Sequence, residues 1–290
     1  MDPLAPLPAF LVEPLVRAAL LEDLGRAGDI TSEAVVAPSI GARGAITARE
    51  AGVVAGSDAA ALAFGLMDPA IVVAVERSEG RSVEPGAAVL RIEGPARPIL
   101  AAERVALNFL CHLSGIAAAT AALVAAVRPH GHARITCTRK TTPGLRILEK
   151  RAVRAGGGAN HRFGLDDAVL IKDNHIALAG GVRPAIERAR AAVGHLVRVE
   201  AEVDDLVQLD EALSAGVDAV LLDNMSTEVL RQAVRMVDGQ AVTEASGRIT
   251  AETIGGVAAA GVDLISVGWI THSAPALDLG LDLDPAPPRR

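Results

Sequence analysis

Basic side chains are concentrated between Thr136 and His175, in the stretch TCTRKTTPGLRILEKRAVRAGGGANHRFGLDDAVLIKDNH. Eight arginines and lysines lie there against four acidic residues, although the whole chain has a formal net charge of -7. Because these cations are gathered locally in an acidic protein, they predict a site for a small anionic ligand.

Polar residues recur at the ends of predicted strands. Six short apolar runs follow residue 130, at 135–138, 168–171, 197–203, 219–222, 241–245 and 264–267, and helical patterns such as DDLVQLDEALSAG separate the last four. This alternation predicts βαβ units and a parallel sheet. At or just past the strand ends lie Arg139, Lys140, Lys172, Glu202, Asp223, Ser246, Gly247 and Gly268. Their convergence on one mouth favours a modified, incomplete β/α barrel, with a doubly wound sheet as the alternative.

Glu202 and Asp223 are carboxylates at successive strand ends in this cationic mouth. They could hold Mg²⁺ on a diphosphate or stabilise positive charge that develops on a sugar. Glu200 lies on the same face of its strand as Glu202 and competes with it for that role.

Small residues follow the last two strands. Ser246-Gly247 and Ser266-Val267-Gly268, with His272 nearby, predict a phosphate-binding site, since barrels place backbone amides there and glycine allows close approach. The triple glycine at 156–158 lacks the pattern of a nucleotide loop. We interpret it as a turn that lets Asn160, His161 and Arg162 point inward.

The first hundred residues have a different pattern. Helical periodicity over 10–21 is followed by short alternating runs punctuated by Gly and Pro, which predict antiparallel hairpins and an α+β open-faced sandwich. We therefore expect an N-terminal domain over residues 1–110, to which residues 275–290 could return. The β/α barrel catalytic domain would cover residues 111–274.

Composition excludes several classes of protein. The acidic total and the scarcity of aromatic residues, which make up 2% of the chain, argue against nucleic acid as a partner. The opening MDPLAPLPAF does not resemble a signal peptide. Cys111 and Cys137 form no disulfide or zinc spacing, which fits a reducing compartment, and so we expect a cytoplasmic protein.

One uncharged stretch, between Arg104 and Arg128, is long enough to suggest a membrane span. Arg104, Asn108 and His112 recur there every four residues and would lie along one helical stripe. We therefore predict a helix of a globular protein and no membrane partner.

Ordered blocks along the chain resemble one enzyme family. They are EDLGRAGDITSE, ERVALNFLCHLSGIA, TRKTTPGLR, AGGGANHR, GLDDAVLIKDNH, VEAEVDD, LLDNM, EASGRI and SVGWITHSAPALDLGLDL. The family is nicotinate-nucleotide pyrophosphorylase (carboxylating), also called quinolinate phosphoribosyltransferase. The resemblance implies that the enzyme condenses quinolinate with phosphoribosyl pyrophosphate. It would release nicotinate mononucleotide, diphosphate and CO₂ for NAD biosynthesis.

The resemblance also implies roles for single residues. Arg139, His161, Arg162 and Lys172 match positions that hold the two quinolinate carboxylates. Arg104 matches an arginine supplied by the other subunit of a homodimer or higher even oligomer. Lys140, Glu202 and Asp223 match catalytic positions around the ribose, the diphosphate and Mg²⁺. Ser246, Gly247, Gly268 and His272 match the grip on the 5'-phosphate of phosphoribosyl pyrophosphate.

Two departures from the family pattern adjoin the predicted phosphate loops. Arg248 stands where many relatives have a second glycine, and Trp269-Ile270 replaces a smaller pair. Two alternative functions stay open. One is a phosphoribosyltransferase-like protein associated with molybdenum transport, which shares TRKTTPG and AGGG but tends to lose the lysine at the position of Lys172. The other is a non-catalytic binder of a phosphorylated anion.

Overall fold

The computed structural model describes residues 4–286. The described residues form two compact units: the first contains residues 4–121, 142–157 and 273–286, and the second contains residues 122–141 and 158–272. Part of the predicted C-terminal return, residues 287–290, lies outside the described residues, as do residues 1–3 of the predicted N-terminal domain.

Eleven helices and twelve strands are formed by the described residues. The helices are α1 (Ala9–Leu24), α2 (Ile30–Val35), α3 (Ser57–Met67), α4 (Ala96–Val127), α5 (Arg146–Ala155), α6 (Asp173–Ala179), α7 (Val182–Ala192), α8 (Leu206–Ser214), α9 (Thr227–Val237), α10 (Ile254–Ala258) and α11 (Trp269–His272). The strands are β1 (Gly41–Ala48), β2 (Gly52–Val53), β3 (Val72–Val75), β4 (Ser82–Val83), β5 (Ala88–Pro95), β6 (Arg134–Thr136), β7 (Val169–Ile171), β8 (Val199–Val203), β9 (Ala219–Asp223), β10 (Val242–Ser246), β11 (Leu264–Ser266) and β12 (Leu279–Pro285).

The first unit contains a four-stranded antiparallel sheet in the order β12-β1-β5-β3. Helix α3 packs on β3 and β5, and α1 packs on α3. These helices bury Val16, Leu20 and Phe64, which are at most 5% exposed. The prediction of an N-terminal α+β fold is confirmed.

Helix α4 is apolar and long enough to cross a membrane by length and composition alone, but half of its apolar window is buried within the protein. Leu110, Leu113 and Ile116 lie in the core, whereas Arg104 and Asn108 are exposed. A helix that combines a buried apolar side with a polar stripe is typical of the core of a globular protein.

The second unit is built on a six-stranded parallel sheet in the order β6-β11-β10-β9-β8-β7. Strands β7 to β11 follow one another in chain order, without the reversal around the first strand that a doubly wound sheet shows. Right-handed crossovers between strands in this order place the helices on one face. The first strand of this unit, β6, pairs with the last, β11, and β6 and β7 are the two edge strands of the sheet. The barrel is therefore incomplete, and the prediction of an incomplete β/α barrel is confirmed.

Alternation along the strands separates the two faces of this sheet. In β8, Val199, Ala201 and Val203 are buried, and Glu200 and Glu202 between them are half-buried. The apolar face carries the packing against the helices, so the inner face is free to carry charge.

Candidate active site

The predicted site residues of β8, β9 and β10 share the inner face of the parallel sheet. Leu221 of β9 is paired with Glu202 of β8 and with Glu244 of β10, and Asp223 is paired with Ser246. Paired residues of neighbouring strands point to the same side, so the polar residues of three strands converge. They form two layers, with Asp223 and Ser246 at the carboxyl ends of their strands.

Two guanidinium groups lie near this face. The Nη1 of Arg162 donates to the carbonyl oxygen of Ala168 at 2.9 Å, and its Nε is buried without a hydrogen-bond partner among residues 4–286. Burial lowers the pKa of Arg162, the charge of Arg139 lowers it further, and Asp167 and Glu200 oppose the shift. Since arginine stays protonated in proteins, the pair offers a fixed concentration of positive charge to an anion.

His161 is held through both of its ring nitrogens. Its Nδ1 accepts from the backbone N–H of Arg162 at 2.7 Å, and its Nε2 lies 3.0 Å from Oε2 of Glu200. Because Nδ1 is an acceptor in this arrangement, the ring hydrogen is on Nε2 and is donated to Glu200. The imidazole is therefore locked between the loop before β7 and the middle of β8.

Lys172 follows β7 directly, and its Nζ lies 2.6 Å from Oε2 of Glu202. The lysine side chain is 48% exposed, whereas that of Glu202 is 13% exposed. The structure thus distinguishes the two candidate glutamates: Glu202 lies near the strand end with Lys172, and Glu200 lies one layer deeper with His161.

Asp223 begins a tight connection at the end of β9. Its Oδ2 accepts from Nδ2 of Asn224 at 2.6 Å, and the backbone N–H of Asn224 donates to the carbonyl oxygen of Ser246 at 3.0 Å. Asn224 has a φ of 51°, and asparagine is one of the few residues that tolerate this left-handed region. Gly247 has a φ of 136°, and an added Cβ would lie 2.7 Å from Oδ1 of Asn224. These contacts join the predicted acid at Asp223 to the predicted phosphate loop.

The last predicted phosphate residues also lie together. A Cβ placed on Gly268 would be 3.1 Å from Cδ of Lys140 and 3.6 Å from Nε2 of His272. The hydroxyl of Thr271 donates to the backbone carbonyl of Lys140 at 2.8 Å, which fixes the loop after β6 to α11. Gly268, Lys140 and His272 therefore form one cluster.

Arg104 belongs to the first compact unit, where it is exposed on α4. The other predicted site residues belong to the second unit. The expected role of Arg104 in a neighbouring subunit stays a prediction.

Two groups of side chains could be considered as metal ligands. Glu202 and Asp223 each have one oxygen in a contact with Lys172 or Asn224, and each has a second carboxylate oxygen. They fit Mg²⁺, which prefers a few carboxylates together with water and phosphate oxygens. Donor atoms of His161, Glu200 and Glu244 lie within 4.8 Å of one another, but the nearby arginine charges disfavour a cation there.

Glu244 was missed as a functional residue by the sequence analysis. Its side chain is 2% exposed, and Oε1 lies 3.8 Å from Nε2 of His161. Burial, with repulsion from Glu200 adding to it, raises the pKa of Glu244 to about 7, against the opposing effects of His161 and Ser266. The sequence could have indicated this residue. Glu244 lies two residues before Ser246, and residues with that spacing lie on the same face of a strand.

An incomplete barrel whose inner face combines arginines, lysines, paired acids and glycine turns defines an enzyme that acts on small, highly anionic substrates. Comparisons with known proteins refine this class. The family model "Quinolinate phosphoribosyl transferase, N-terminal domain" matches residues 29–114. The family model "Quinolinate phosphoribosyl transferase, C-terminal domain" matches residues 116–282.

Similar proteins cover nearly the whole chain. A protein of Mycobacterium leprae named nicotinate-nucleotide pyrophosphorylase [carboxylating] is 45% identical, over 92% of this chain and 95% of its own length. A protein of Bacillus subtilis with the name "probable nicotinate-nucleotide pyrophosphorylase [carboxylating]" is 40% identical, over 93% of this chain and 92% of its own length. The crystal structure of NadC from Streptococcus pyogenes has a TM-score of 0.94 at 41% identity, covering 98% of this chain and 100% of that one. The chain belongs to the quinolinate phosphoribosyltransferase family, which confirms the resemblance seen in the sequence.

Proposed function

We infer that this protein is a pentosyltransferase that joins quinolinate to phosphoribosyl pyrophosphate and releases nicotinate mononucleotide, diphosphate and CO₂, a step of NAD biosynthesis. The observation that carries this inference is the inner face of the parallel sheet. The cationic side of this face carries Arg139, Arg162 and Lys172, which lie after β6 and around β7, and the acidic side carries the acids and glycine turns of β8 to β11.

The cationic side is proposed to bind quinolinate. A planar dicarboxylate suits arginine, whose fork of N–H donors can bind two oxygens at once. The buried Nε of Arg162 has no partner among residues 4–286, and it would gain one from a carboxylate. His161 contributes by fixing the backbone of Arg162 through Nδ1.

The acidic side is proposed to bind phosphoribosyl pyrophosphate. Gly247, Gly268 and His272, with Ser246, would hold the 5'-phosphate, since glycine allows backbone amides to approach the oxygens. Lys140 lies against Gly268 and would reach the same substrate.

Transfer requires the ring nitrogen of quinolinate to attack the anomeric carbon as the bond to diphosphate breaks. Positive charge then develops on the ribose, and the carboxylates of Glu202 and Asp223 would stabilise it. Lys172 holds the carboxylate of Glu202 in position through their 2.6 Å contact. Once the ring nitrogen is quaternary, it accepts the electron pair left when the adjacent carboxylate departs as CO₂, and a proton replaces that carboxylate.

Mg²⁺ is the proposed cofactor, and it would neutralise charge on the diphosphate leaving group. Glu202 and Asp223 are the residues that would hold it, directly or through water. We further propose a cytoplasmic homodimer, or a higher even oligomer, in which Arg104 completes the quinolinate site of a neighbouring subunit. The exposure of Arg104 and its position in the other compact unit support that assignment.

Product analysis tests the proposed reaction. Purified protein supplied with quinolinate, phosphoribosyl pyrophosphate and Mg²⁺ should release diphosphate and CO₂ in equal amounts with nicotinate mononucleotide. Quinolinate binding without diphosphate release would instead support a non-catalytic binder, and diphosphate release with another acceptor in preference to quinolinate would refute the assigned substrate.

A further inference from the structure

Two carboxylates lie close together on the inner face of the sheet, next to His161 of the proposed quinolinate site. Glu200 of β8 and Glu244 of β10 both approach His161, whose Nε2 is 3.0 Å from Oε2 of Glu200 and 3.8 Å from Oε1 of Glu244. Oε1 of Glu244 is buried without a hydrogen-bond partner among residues 4–286. The mechanism above does not use Glu244.

His161 cannot neutralise both carboxylates. Its ring hydrogen is donated from Nε2 to Glu200, because Nδ1 already accepts from the N–H of Arg162. Two carboxylates at close range in a low-dielectric interior do not both ionise readily, so the deeper one retains a proton. Glu244 is the deeper one, with 2% exposure against 13% for Glu200.

Charged groups are carried by the other strands of the inner face and by the loops next to them. They are Arg139 and Lys140 after β6, His161, Arg162 and Lys172 around β7, Glu200 and Glu202 of β8, and Asp223 of β9; β11 contributes the neutral Ser266. Of these groups, His161 and Glu200 are within direct reach of Glu244, since donor atoms of all three residues lie within 4.8 Å of one another.

We propose that Glu244 sets the affinity of the pocket for the dicarboxylate substrate through its own proton. When Glu244 is protonated, the pocket keeps the net positive charge that a doubly negative ring requires. When Glu244 is ionised, its negative charge opposes the substrate. This inference rests on the proposed quinolinate site.

Proton linkage follows from this arrangement. Because burial raises the pKa of Glu244 to about 7, its protonation changes near neutral pH. A bound dianion favours the protonated form, so quinolinate binding on the alkaline side of that pKa takes up a proton. The affinity for quinolinate should then fall as the pH rises through about 7.

The test compares wild type with Glu244→Gln, since glutamine imitates the protonated acid and cannot ionise. The measured quantity is kcat/KM for quinolinate of wild type divided by that of Glu244→Gln. Ionisation of the substrates affects both proteins equally and cancels in this ratio. A charge within about 4 to 6 Å moves an equilibrium by roughly one to three powers of ten, so this ratio should fall at least about tenfold between about pH 6 and about pH 9. A constant ratio, or a folded Glu244→Gln protein without activity at about pH 6, would overturn the proposal.

Glu79→Gln is a matched control, because burial also raises the pKa of Glu79, and Glu79 belongs to the first unit and not to the parallel sheet of the second. It should leave the pH dependence of the quinolinate KM unchanged. If Glu244→Gln does not fold, calorimetry of quinolinate binding to wild type in buffers of different ionisation enthalpy supplies the second measurement. Proton uptake at about pH 8 supports the proposal, and its absence overturns it.

Loss of the quinolinate site itself gives a different result. If Arg139→Ala had wild-type kinetics, the proposed quinolinate site on which this inference depends would be refuted. A strong defect in Arg139→Ala together with a constant ratio for Glu244→Gln would leave the pocket in place and refute the role of Glu244 alone.

Discussion

At the scale of single residues, the proposed site contains buried polar atoms for which the fold supplies no hydrogen-bond partner. Arg162 has a buried Nε without a hydrogen-bond partner among the described residues, and Glu244 has a buried carboxylate oxygen in the same condition. Unsatisfied buried donors are costly, so we expect the Nε of Arg162 to find its partner in a carboxylate of the bound substrate.

Arg139→Ala tests the carboxylate-binding side. Loss of one partner of a buried charge pair costs about 2 to 5 kcal/mol, so kcat/KM for quinolinate should fall by roughly tens to thousands of fold. Lys172→Ala should have the smaller effect, because that side chain is half exposed.

Steady-state kinetics and a thermal melt measure the effect of Arg139→Ala and the survival of the fold. Arg183→Ala is the control, since Arg183 lies on α7 in an exposed pair with Glu187. Equal kinetics for the Arg139 and Arg183 variants would exclude Arg139 from the site.

At the scale of elements, loops after parallel strands position the site. The β9–α9 connection is linked to β10 through Asn224, whose N–H donates to Ser246 and whose side chain adjoins Gly247. A change in this connection should therefore affect the sugar-phosphate substrate more than quinolinate.

Gly247→Ala tests the connection. The φ of 136° and the approach of 2.7 Å to Asn224 mean that a methyl group must displace the loop. We expect a raised KM for phosphoribosyl pyrophosphate and a stability loss of about 1 to 3 kcal/mol. The KM for quinolinate should change less.

Gly216→Ala supplies the comparison. Gly216 also has a positive φ, of 75°, but an added Cβ meets nothing within 4 Å, and the residue precedes β9 at the other end of the strand. It should lower stability without altering either KM. If both variants change the KM for phosphoribosyl pyrophosphate alike, the loop does not bind that substrate.

Much of the second unit could be predicted from sequence because its signals are local. All six apolar runs are strands, and the run predicted at 197–203 begins two residues later, at Val199. Arg139, Lys172 and Asp223 lie at strand ends, where their spacing placed them. The phosphate cluster of Lys140, Gly268 and His272 required the known pattern of a family as well.

The rest depended on partners that are distant in sequence. Strand β12 pairs with β1, and no local period reveals that partner. Glu149 is one of the four acids in the basic stretch, and its sequence context suggests a surface position. It is instead fully buried, and its carboxylate binds His112 and accepts from the backbone N–H of Thr142. Gly156 is required because a Cβ would lie 2.3 Å from the carbonyl oxygen of Ala117 on α4, which the triple glycine alone did not indicate.

At the scale of the whole molecule, we propose that a second chain completes the site. The proposed quinolinate residues of the barrel belong to the second unit, and Arg104 belongs to the first. If Arg104 acts in a neighbouring subunit, two different inactive subunits can restore one intact site between them.

Subunit mixing tests this. Arg104→Ala and Lys140→Ala proteins should each be inactive, whereas exchanged mixtures should recover about one quarter of wild-type activity, because half of random dimers are mixed and each has one intact site. Recovery is measured against each variant alone, with exchange verified by mass spectrometry. No recovery after complete exchange would assign Arg104 to the site of its own chain or to none.

The central claim is that the inner face of the parallel sheet binds quinolinate beside the phosphate loops. A crystal structure of the protein with quinolinate tests it most directly. We expect a bound ring whose carboxylates contact Arg139, Arg162 and Lys172 and whose nitrogen faces Glu202 and Asp223. A ring bound elsewhere, or bound with its carboxylates away from both arginines, would contradict it.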